Sequence, residues 1–252
     1  MQFSVIDRKI VIPMKKVFLV IFLLGSVVVT AQRTTPQNLP NFDRKKLHFG
    51  FTVGLNTMDF AIQKADDFFN NSVNNNIYAI ENQAKLGFQI GPVSSLRLGE
   101  YFDLRLLINL SFGQRDLTYW VVQDTTAANI QLTPHTMKIA STFIEFPLLL
   151  KYKASRVNNY SPYLIAGINP RIDLAARKKI KEEEMPKIRL TNRDIYYEMG
   201  IGIDFYLLYF KLSTELKYSV GMADVLVRDN TEYTSTIKKM NSRIFMISLH
   251  FE

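Results

Sequence analysis

The 252-residue sequence is long enough for one barrel or sandwich domain, with 47% hydrophobic residues, 12% aromatic residues and a formal charge of +8. Beyond the N-terminus no apolar run approaches the roughly 20 residues of a membrane-spanning helix, which excludes such helices from the mature chain. The absence of cysteine excludes a disulfide framework, a thiolate metal site and a lipid anchor on a cysteine.

Residues 1–31 have the pattern of a secretory signal peptide. The basic pair Lys15 and Lys16 precedes the apolar run 17–29, and small residues follow up to Ala31. We expect cleavage after Ala31. The residues ahead of the basic pair indicate that the start codon is assigned too early, which adds an extension before the signal peptide. The alternative of a retained membrane anchor is disfavoured, because an apolar run of about 13 residues is short for a span. Removing residues 1–31 takes a net +3 from the formal +8 and leaves +5.

Residues 32–46 predict a periplasmic leader without regular structure, since they are polar and include Pro36 and Pro40. After this leader, apolar residues alternate with polar or small ones, which is the period of a strand with two different faces. About eight segments show the alternation. Their apolar faces begin at Leu47, Leu86, Phe102, Ile144, Leu164, Ile195, Phe210 and Phe245. The third of them covers about 11 residues, enough for a tilted strand to cross a hydrocarbon layer.

The predicted connections alternate between short and long. Short turns lie around Gly99, Asn158 and Leu207, whereas long connections cover 59–83, 123–135, 177–192 and 223–241. An even number of strands with short turns on one side and long loops on the other is typical of bacterial outer-membrane barrels. We therefore predict an all-β fold over residues 47–252, an up-and-down antiparallel transmembrane β-barrel of about eight strands with both termini in the periplasm.

A soluble lipocalin-like barrel is the alternative, because it has about the same number of strands. In a lipocalin the apolar face points inward around a ligand. Here the other face holds glycines, serines, asparagines and charges, which fits a narrow, filled lumen with the apolar face toward lipid. The predicted inward charges are Lys85, Arg97, Asp103, Arg105, Glu145, Lys151, Arg171, Asp173, Glu198, Asp204, Lys211, Glu215 and Lys217. Because both signs are mixed, we expect a network of ion pairs and no conducting pore.

Several segments carry a resemblance to a known family. Residues 143–152, FIEFPLLLKY, are similar to the E-x-P-L-L-L-K-Y signature of outer-membrane barrel proteins abundant in Bacteroidetes. Residues 161–167, SPYLIAG, resemble the S-P-Y-L-x-A-G of the following strand, and 200–205 and 216–221 add to the match. Within that group the chain most resembles the PorT (SprT) family, outer-membrane components required by the type IX secretion system. The resemblance implies a role in exporting cargo with C-terminal sorting domains.

No motif for catalysis, cofactor binding or metal binding is recognisable. The sequence contains no nucleophile elbow, phosphate loop, H-E-x-x-H or calcium loop. His48 and His250 fall on polar faces near the start of the first strand and the end of the last, where a pair could bind a metal or transfer a proton. We favour two lumenal side chains at the periplasmic mouth, because no carboxylate or third ligand is evident. The prediction is a protein that is not an enzyme and has no cofactor.

A charged run in the third long connection suggests a contact surface. It consists of Arg177, Lys178, Lys179 and Lys181 followed by Glu182, Glu183 and Glu184. One interpretation is a solvated loop without a binding role. The other is a docking surface for a partner or for anionic lipopolysaccharide. The expected partners are other outer-membrane or periplasmic secretion components, together with membrane lipid and lipopolysaccharide. Nucleic acid is not expected as a partner of an exported chain.

Three functions remain open from the sequence. The first is a non-catalytic outer-membrane barrel that supports export by the type IX secretion system. The second is a generic structural or adhesive barrel. The third is a lipid-modifying barrel enzyme, which is disfavoured because the two histidines lack a clear serine partner.

Overall fold

The computed structural model describes residues 36–65, 68, 77–124, 131–176, 188–229 and 231–252, so the predicted signal peptide lies outside it. The strands in this part are β1 (Leu47–Lys64), β2 (Ile77–Arg97), β3 (Phe102–Leu107), β4 (Asn109–Asp124), β5 (Gln131–Glu145), β6 (Leu148–Lys153), β7 (Tyr160–Asp173), β8 (Arg193–Tyr206), β9 (Lys211–Gly221) and β10 (Ile237–Phe251). The helices are a 3-10 turn, Phe42–Arg44, and α1, Glu232–Ser235. No helix among the described residues has the length and apolarity to cross a membrane.

The ten strands form one antiparallel sheet closed into a ring. β2 pairs with both β3 and β4, and β7 pairs with both β5 and β6, so β3 with β4 and β5 with β6 each make one interrupted crossing. The interruptions fall at Ile108 and at Phe146-Pro147, where the proline nitrogen has no hydrogen to donate. β1 pairs with β10 from Phe51 opposite Phe251 to Lys64 opposite Ile237, which closes the ring. The up-and-down antiparallel barrel predicted from the alternation, with about eight crossings, is confirmed.

The two ends of the barrel differ as the connections predicted. At one end, the short-turn end, residues 98–101, 154–159 and 207–210 join successive strands. Asn158 has a φ of 52°, a left-handed conformation that asparagine tolerates well in a turn. The backbone of Glu252 exchanges hydrogen bonds with Lys211 at this same end. The opposite end is called the long-loop end.

The strands reach further into the long-loop end than predicted. β1 continues to Lys64 although its predicted end lay before Asp59, and β2 begins at Ile77 although its predicted start lay beyond Gln83. The long connections predicted at 59–83, 123–135 and 223–241 are therefore too long, since strands occupy part of each range.

The reason is that the two faces of the wall exchange polarity along the strand. On β1 the outward residues are apolar through Leu55, and the inward ones are polar through Asn56. Beyond that point Met58 and Phe60 are buried inside, and Asp59 lies on the outward face. The apolar residues thereby move from odd to even positions along the strand. In the sequence the alternation is interrupted there, although the strand continues.

Other strands show the same exchange. On β4 the outward face passes from Leu110 and Phe112 to the carboxylate of Asp116, while the inward face becomes apolar at Leu117 and Tyr119. On β10 the outward face changes from the exposed apolar Phe245 to the charged Arg243. An apolar outer belt therefore covers only the part of the barrel nearest the short turns. On β1, residues 47–55 give it a height of roughly 20–25 Å at about 3.4 Å per residue and a tilt of about 40°.

Candidate functional site

The short-turn end of the lumen is covered by residues 37–46, which precede β1. Asn38 donates from Nδ2 to the carbonyl oxygen of Tyr206 at 3.0 Å, and the Tyr206 hydroxyl donates to Asp43 at 2.9 Å. The ring of Phe42 meets that of Tyr206 edge-on at 6.1 Å between centroids. The segment was predicted to lack regular structure, and it is ordered here because its polar groups satisfy those of the barrel mouth.

Above this cover, the first charged cluster in the lumen centres on Arg105. This side chain is fully buried, with Nη1 2.9 Å from Oε2 of Glu215 and Nη2 3.3 Å from Oε1 of Glu252. Nζ of Lys211 lies 2.5 Å from Oε2 of Glu252. Burial alone would raise the pKa of Glu252, but Lys211 and Arg105 outweigh it and hold that pKa below its usual value. The stabilisation from this carboxylate is therefore present at neutral pH and is lost only as the pH falls through the lowered pKa.

A second cluster is organised by Glu198 on β8. Its Oε1 accepts hydrogen bonds from Nη2 of Arg171 at 2.7 Å, Nδ2 of Asn169 at 2.7 Å and Oγ of Ser219 at 3.0 Å. Its Oε2 lies 3.0 Å from Nζ of Lys217. All five side chains are buried, so Glu198 joins three strands through charge-assisted hydrogen bonds away from water.

A third layer, nearer the long-loop end, contains Arg115 of β4. Its Nη1 donates to Oγ of Ser242 at 2.8 Å and its Nη2 to Oγ of Ser141 at 2.6 Å. The guanidinium lies 4.1 Å from the ring centroid of Phe60 and 5.8 Å from that of Phe143. Hydroxyls and aromatic faces thus solvate this cation at the boundary between the charged lumen and the apolar interior above it.

The long-loop end of the interior is an apolar core. Its fully buried members are Leu117, Tyr119, Ile237 and Met240. Two of the long connections meet there, since Leu190 forms a β-bridge with Leu226, and the Arg189 guanidinium donates to Asp229. The described parts of these connections therefore close the barrel with packed apolar side chains.

The charges of the lumen balance one another. Among the described residues, the inward-facing buried charges are seven cations and seven carboxylates. The cations are Arg105, Arg115, Lys151, Lys153, Arg171, Lys211 and Lys217, and the carboxylates are Asp103, Glu145, Asp173, Glu198, Asp204, Glu215 and Glu252. Packing is also tight, because a Cβ at Gly202 would lie 2.3 Å from the ring of Tyr163. Within the described ranges, no group of three or more His, Asp or Glu residues could hold a metal ion. The arrangement suits a filled interior in which most of the buried charges are paired.

The two histidines of the predicted pair have separate surroundings. The register of β1 against β10 places His250 opposite Thr52 and not opposite His48. His48 stacks on Phe42 at 4.1 Å, whereas Nε2 of His250 is buried 3.5 Å from Oε2 of Glu215. The register against β9 sets His250 opposite Ser213, but the hydroxyl of that serine donates to Asp204 at 2.6 Å.

Most of the predicted inward charges are buried in the lumen. Arg97 keeps the inward parity opposite Asp103, but it lies at the rim, where it donates to the carbonyl oxygens of Gly99 and Asp43. The prediction for Lys85 was wrong, because an irregular register near it turns the side chain outward, where it is 41% exposed and pairs with Asp116. The charged run 177–184 lies outside the described residues.

Arg115 and Glu252 are lumenal charges that the sequence did not predict, and Lys153, which pairs with Asp103, is a third. Arg115 continues the inward parity of Arg105 but follows Gly113, where the apolar pattern stops. Glu252 follows the terminal Phe251 and looked like an extra residue beyond the last strand. Extending each alternation by one or two residues would have placed both in the lumen.

One protein family and several solved structures are similar to this chain. The family described as outer membrane protein beta-barrel domain matches residues 30–227. Among solved structures, Neisserial surface protein A is similar at 10% identity over 82% of this chain and 99% of that one, with a TM-score of 0.42. OprG from Pseudomonas aeruginosa is similar at 10% identity over 82% and 95% of the two chains, with a TM-score of 0.40. None of the curated proteins matches. With the family match spanning most of its length, the chain belongs to the outer membrane protein β-barrel domain family and is a protein of the cell outer membrane.

Proposed function

We propose that this barrel is a non-catalytic component that supports protein export by the type IX secretion system of Bacteroidetes. Two observations support the proposal. Residues 143–152 and 161–167 resemble the PorT family, and the chain belongs to the family of outer-membrane β-barrel domains. Its partners are other outer-membrane or periplasmic secretion components, and no nucleic acid is involved. Because short turns face the periplasm in bacterial outer-membrane barrels, the short-turn end faces the periplasm and the long-loop end faces the cell exterior.

The observation that carries the mechanism is the filled lumen. Arg105, Glu198 and Lys217 are at most 2% exposed, and they lie between the cover at the periplasmic mouth and the apolar core at the other end. An unfolded or folded cargo chain cannot pass between such side chains without breaking several buried ion pairs. The barrel therefore acts on export through its rims, its loops or its lipid-facing wall.

The closed lumen leads to an electrical prediction. We expect purified barrel in planar bilayers to show no sizeable steady conductance, because side chains fill the interior of an eight-stranded barrel. A large-pore porin in the same bilayers controls for insertion. A stable open-channel current from the purified barrel would show that the lumen carries a water-filled path.

The same burial supports the absence of catalysis. His250, Glu215 and Ser213 are all buried in the lumen, and the serine hydroxyl is engaged by Asp204. A lipid-modifying enzyme needs its nucleophile and base within reach of a substrate at a membrane boundary. These side chains lack that access, so the geometry favours a structural role for them.

A gene deletion tests the proposed function. We expect the deletion strain to retain sorting-domain cargo in the periplasm and to lose it from the medium, with export restored by the wild-type gene on a plasmid. Western blots of medium, periplasm and outer membrane measure the distribution. Normal export in the deletion strain would remove the type IX assignment and leave an outer-membrane barrel with another role.

A structural or adhesive barrel is the second candidate, favoured by the ordered projection beyond the apolar belt. β1 and β10 continue past the belt with Asp59 and Arg243 on their outer faces and the apolar core inside. Such a projection is suited to hold a binding surface away from the membrane. Affinity purification from gently solubilised outer membranes separates the two candidates, since a translocon subunit brings a large assembly with it and an adhesin does not.

A further inference from the structure

A groove opens in the outer wall where β9 leaves β10. The pairing of these strands ends at Val220 opposite Arg243, whereas β10 continues beside β1 as far as Ile237. The space beside the continuing part of β10 is a groove of about 600 Å³. Its lining includes Lys239, Asn241 and Arg243 of β10, Tyr197, Val220 and Met222 across from them, and residues 60–63 of the neighbouring β1.

The basic side of the groove has two exposed cations. Among the described residues, no carboxylate lies within 4.0 Å of the charged nitrogens of Lys239 or Arg243. The acidic residue opposite Arg243 across the strands is Asp59, and its Oδ1 already accepts hydrogen bonds from the Asn82 amide and the backbone NH of Phe60. Asp59 offsets part of the charge of Arg243, whereas Lys239 lies opposite the neutral Gln63, so the groove keeps a net positive charge.

The wall of the groove is held in place by Asn241. Its Nδ2 donates to the carbonyl oxygens of Gly221 at 3.1 Å and Ala223 at 2.9 Å, which ties the end of β9 to β10. The separation between the basic strand and the apolar side is thereby set before any ligand arrives. A preformed groove of this kind loses less entropy on binding than a mobile loop.

The height of the groove on the barrel shows which layer of the membrane surrounds it. Arg243 is the first charged outward residue beyond the apolar belt on β10, directly after the exposed Phe245. Tyr197 and Met222 on the other side are exposed and apolar, so acyl chains can reach one part of the groove while the cations face the polar layer. Because this end of the barrel faces the cell exterior, the polar layer is the head-group region of the outer leaflet.

We propose that the groove binds lipopolysaccharide, with Arg243 and Lys239 contacting the phosphates of its lipid anchor. Guanidinium and ammonium groups form charge-assisted hydrogen bonds with phosphate oxygens, and Arg243 can donate two of them in parallel. Tyr197 and Met222 pack beside the acyl chains attached to the phosphorylated sugar. The proposal does not depend on the secretion role, since it concerns the outer surface alone.

The test is the binding of bisphosphorylated lipid A to the purified full-length barrel in detergent, measured by native mass spectrometry. We expect Arg243→Gln with Lys239→Gln to weaken binding by about tenfold, the loss associated with one strong charged contact. The charge-matched control is Lys85→Gln with Lys138→Gln, cations elsewhere on the barrel, of which Lys85 pairs with Asp116. The control is expected to bind within about twofold of the wild type.

Two further binding measurements test whether the groove recognises phosphorylated lipid A or a free anion. Lipid A without phosphates should bind wild-type barrel about tenfold more weakly, and inorganic phosphate should not displace the phosphorylated form. Equal binding by the groove variant and the control variant would overturn the proposal, as would equal binding of phosphate-free lipid A. Displacement by inorganic phosphate would also overturn it, because the groove would then recognise a free anion. Heat-modifiable gel mobility confirms that each variant is folded before it is compared.

Discussion

Replacing Glu198 by leucine is expected to lower the free energy of unfolding by about 3–5 kcal/mol, the usual cost of removing one partner of a buried ion pair. The change leaves Arg171 and Lys217 buried without the carboxylate that lies 2.7 Å and 3.0 Å from them. Their remaining carboxylate contacts, to Glu145 and Glu215, are longer at 3.5 Å and 3.8 Å. Urea unfolding in lipid vesicles, followed by the fluorescence of Trp120, the single tryptophan, measures the loss.

Two variants make this result specific. Glu198→Gln keeps the shape and an acceptor oxygen for Asn169 and Ser219, so it should cost less than leucine. Lys85→Gln breaks a pair with Asp116 that is partly exposed, and its effect should be within about 1 kcal/mol. If Glu198→Leu unfolds at the same urea concentration as wild type, the lumen is hydrated and its charges are not coupled as the geometry indicates.

The second large effect concerns the closing strand. Phe251→Asp should lower the amount of barrel in the outer membrane, because Phe251 lies on the lipid-facing side and stacks on Phe51 of β1 at 4.7 Å. A charge on this face costs most at the bilayer centre, about 2–4 kcal/mol for a cation and less for Asp. Moving the aspartate deeper, to Leu249 or Ile247, should therefore reduce the membrane level further. Quantitative blots of outer-membrane fractions, with heated and unheated samples, give the series.

An inward position on the same strand is the control for that series. Ser248 lies between Leu249 and Ile247 but faces the lumen, where its Oγ accepts a hydrogen bond from Gln89 at 2.7 Å. Ser248→Ala removes that one buried hydrogen bond without placing a charge in lipid, so its membrane level should stay closer to wild type than that of any aspartate variant. Equal levels for all of the aspartate variants would mean that the outward face of β10 does not contact the hydrocarbon layer.

The barrel and its inside-out polarity could be predicted from the sequence because alternation is a local signal. Leu47 to Leu55 and Phe102 to Phe112 each present one apolar face, and a period of two fixes both the strand and its direction toward lipid. The turn around Asn158 was also readable, since asparagine favours the left-handed conformation found there.

The parts that could not be predicted depend on where the membrane ends. Met58 and Phe60 break the parity set by Leu55, and only the closed barrel shows that they form an apolar interior above the belt. The roles of Arg115 and Glu252 are also nonlocal, because their partners Ser242 and Lys211 lie far away in the sequence. The cover at the short-turn end belongs to the same class, since Asn38 and Tyr206 meet only after closure.

The most direct measurement of the central claim is cargo export from a deletion strain that carries either of two variants. One variant neutralises the buried pair with Arg105→Gln and Glu215→Gln, and the other replaces residues 177–189 by a neutral linker. Both must show normal heat-modifiable barrel in the outer membrane before cargo is assayed. If the barrel acts through its surfaces, cargo reaches the medium with the lumenal variant and accumulates in the periplasm with the loop variant. Export that fails with the lumenal variant and proceeds with the loop variant would contradict the claim and assign the function to the lumen.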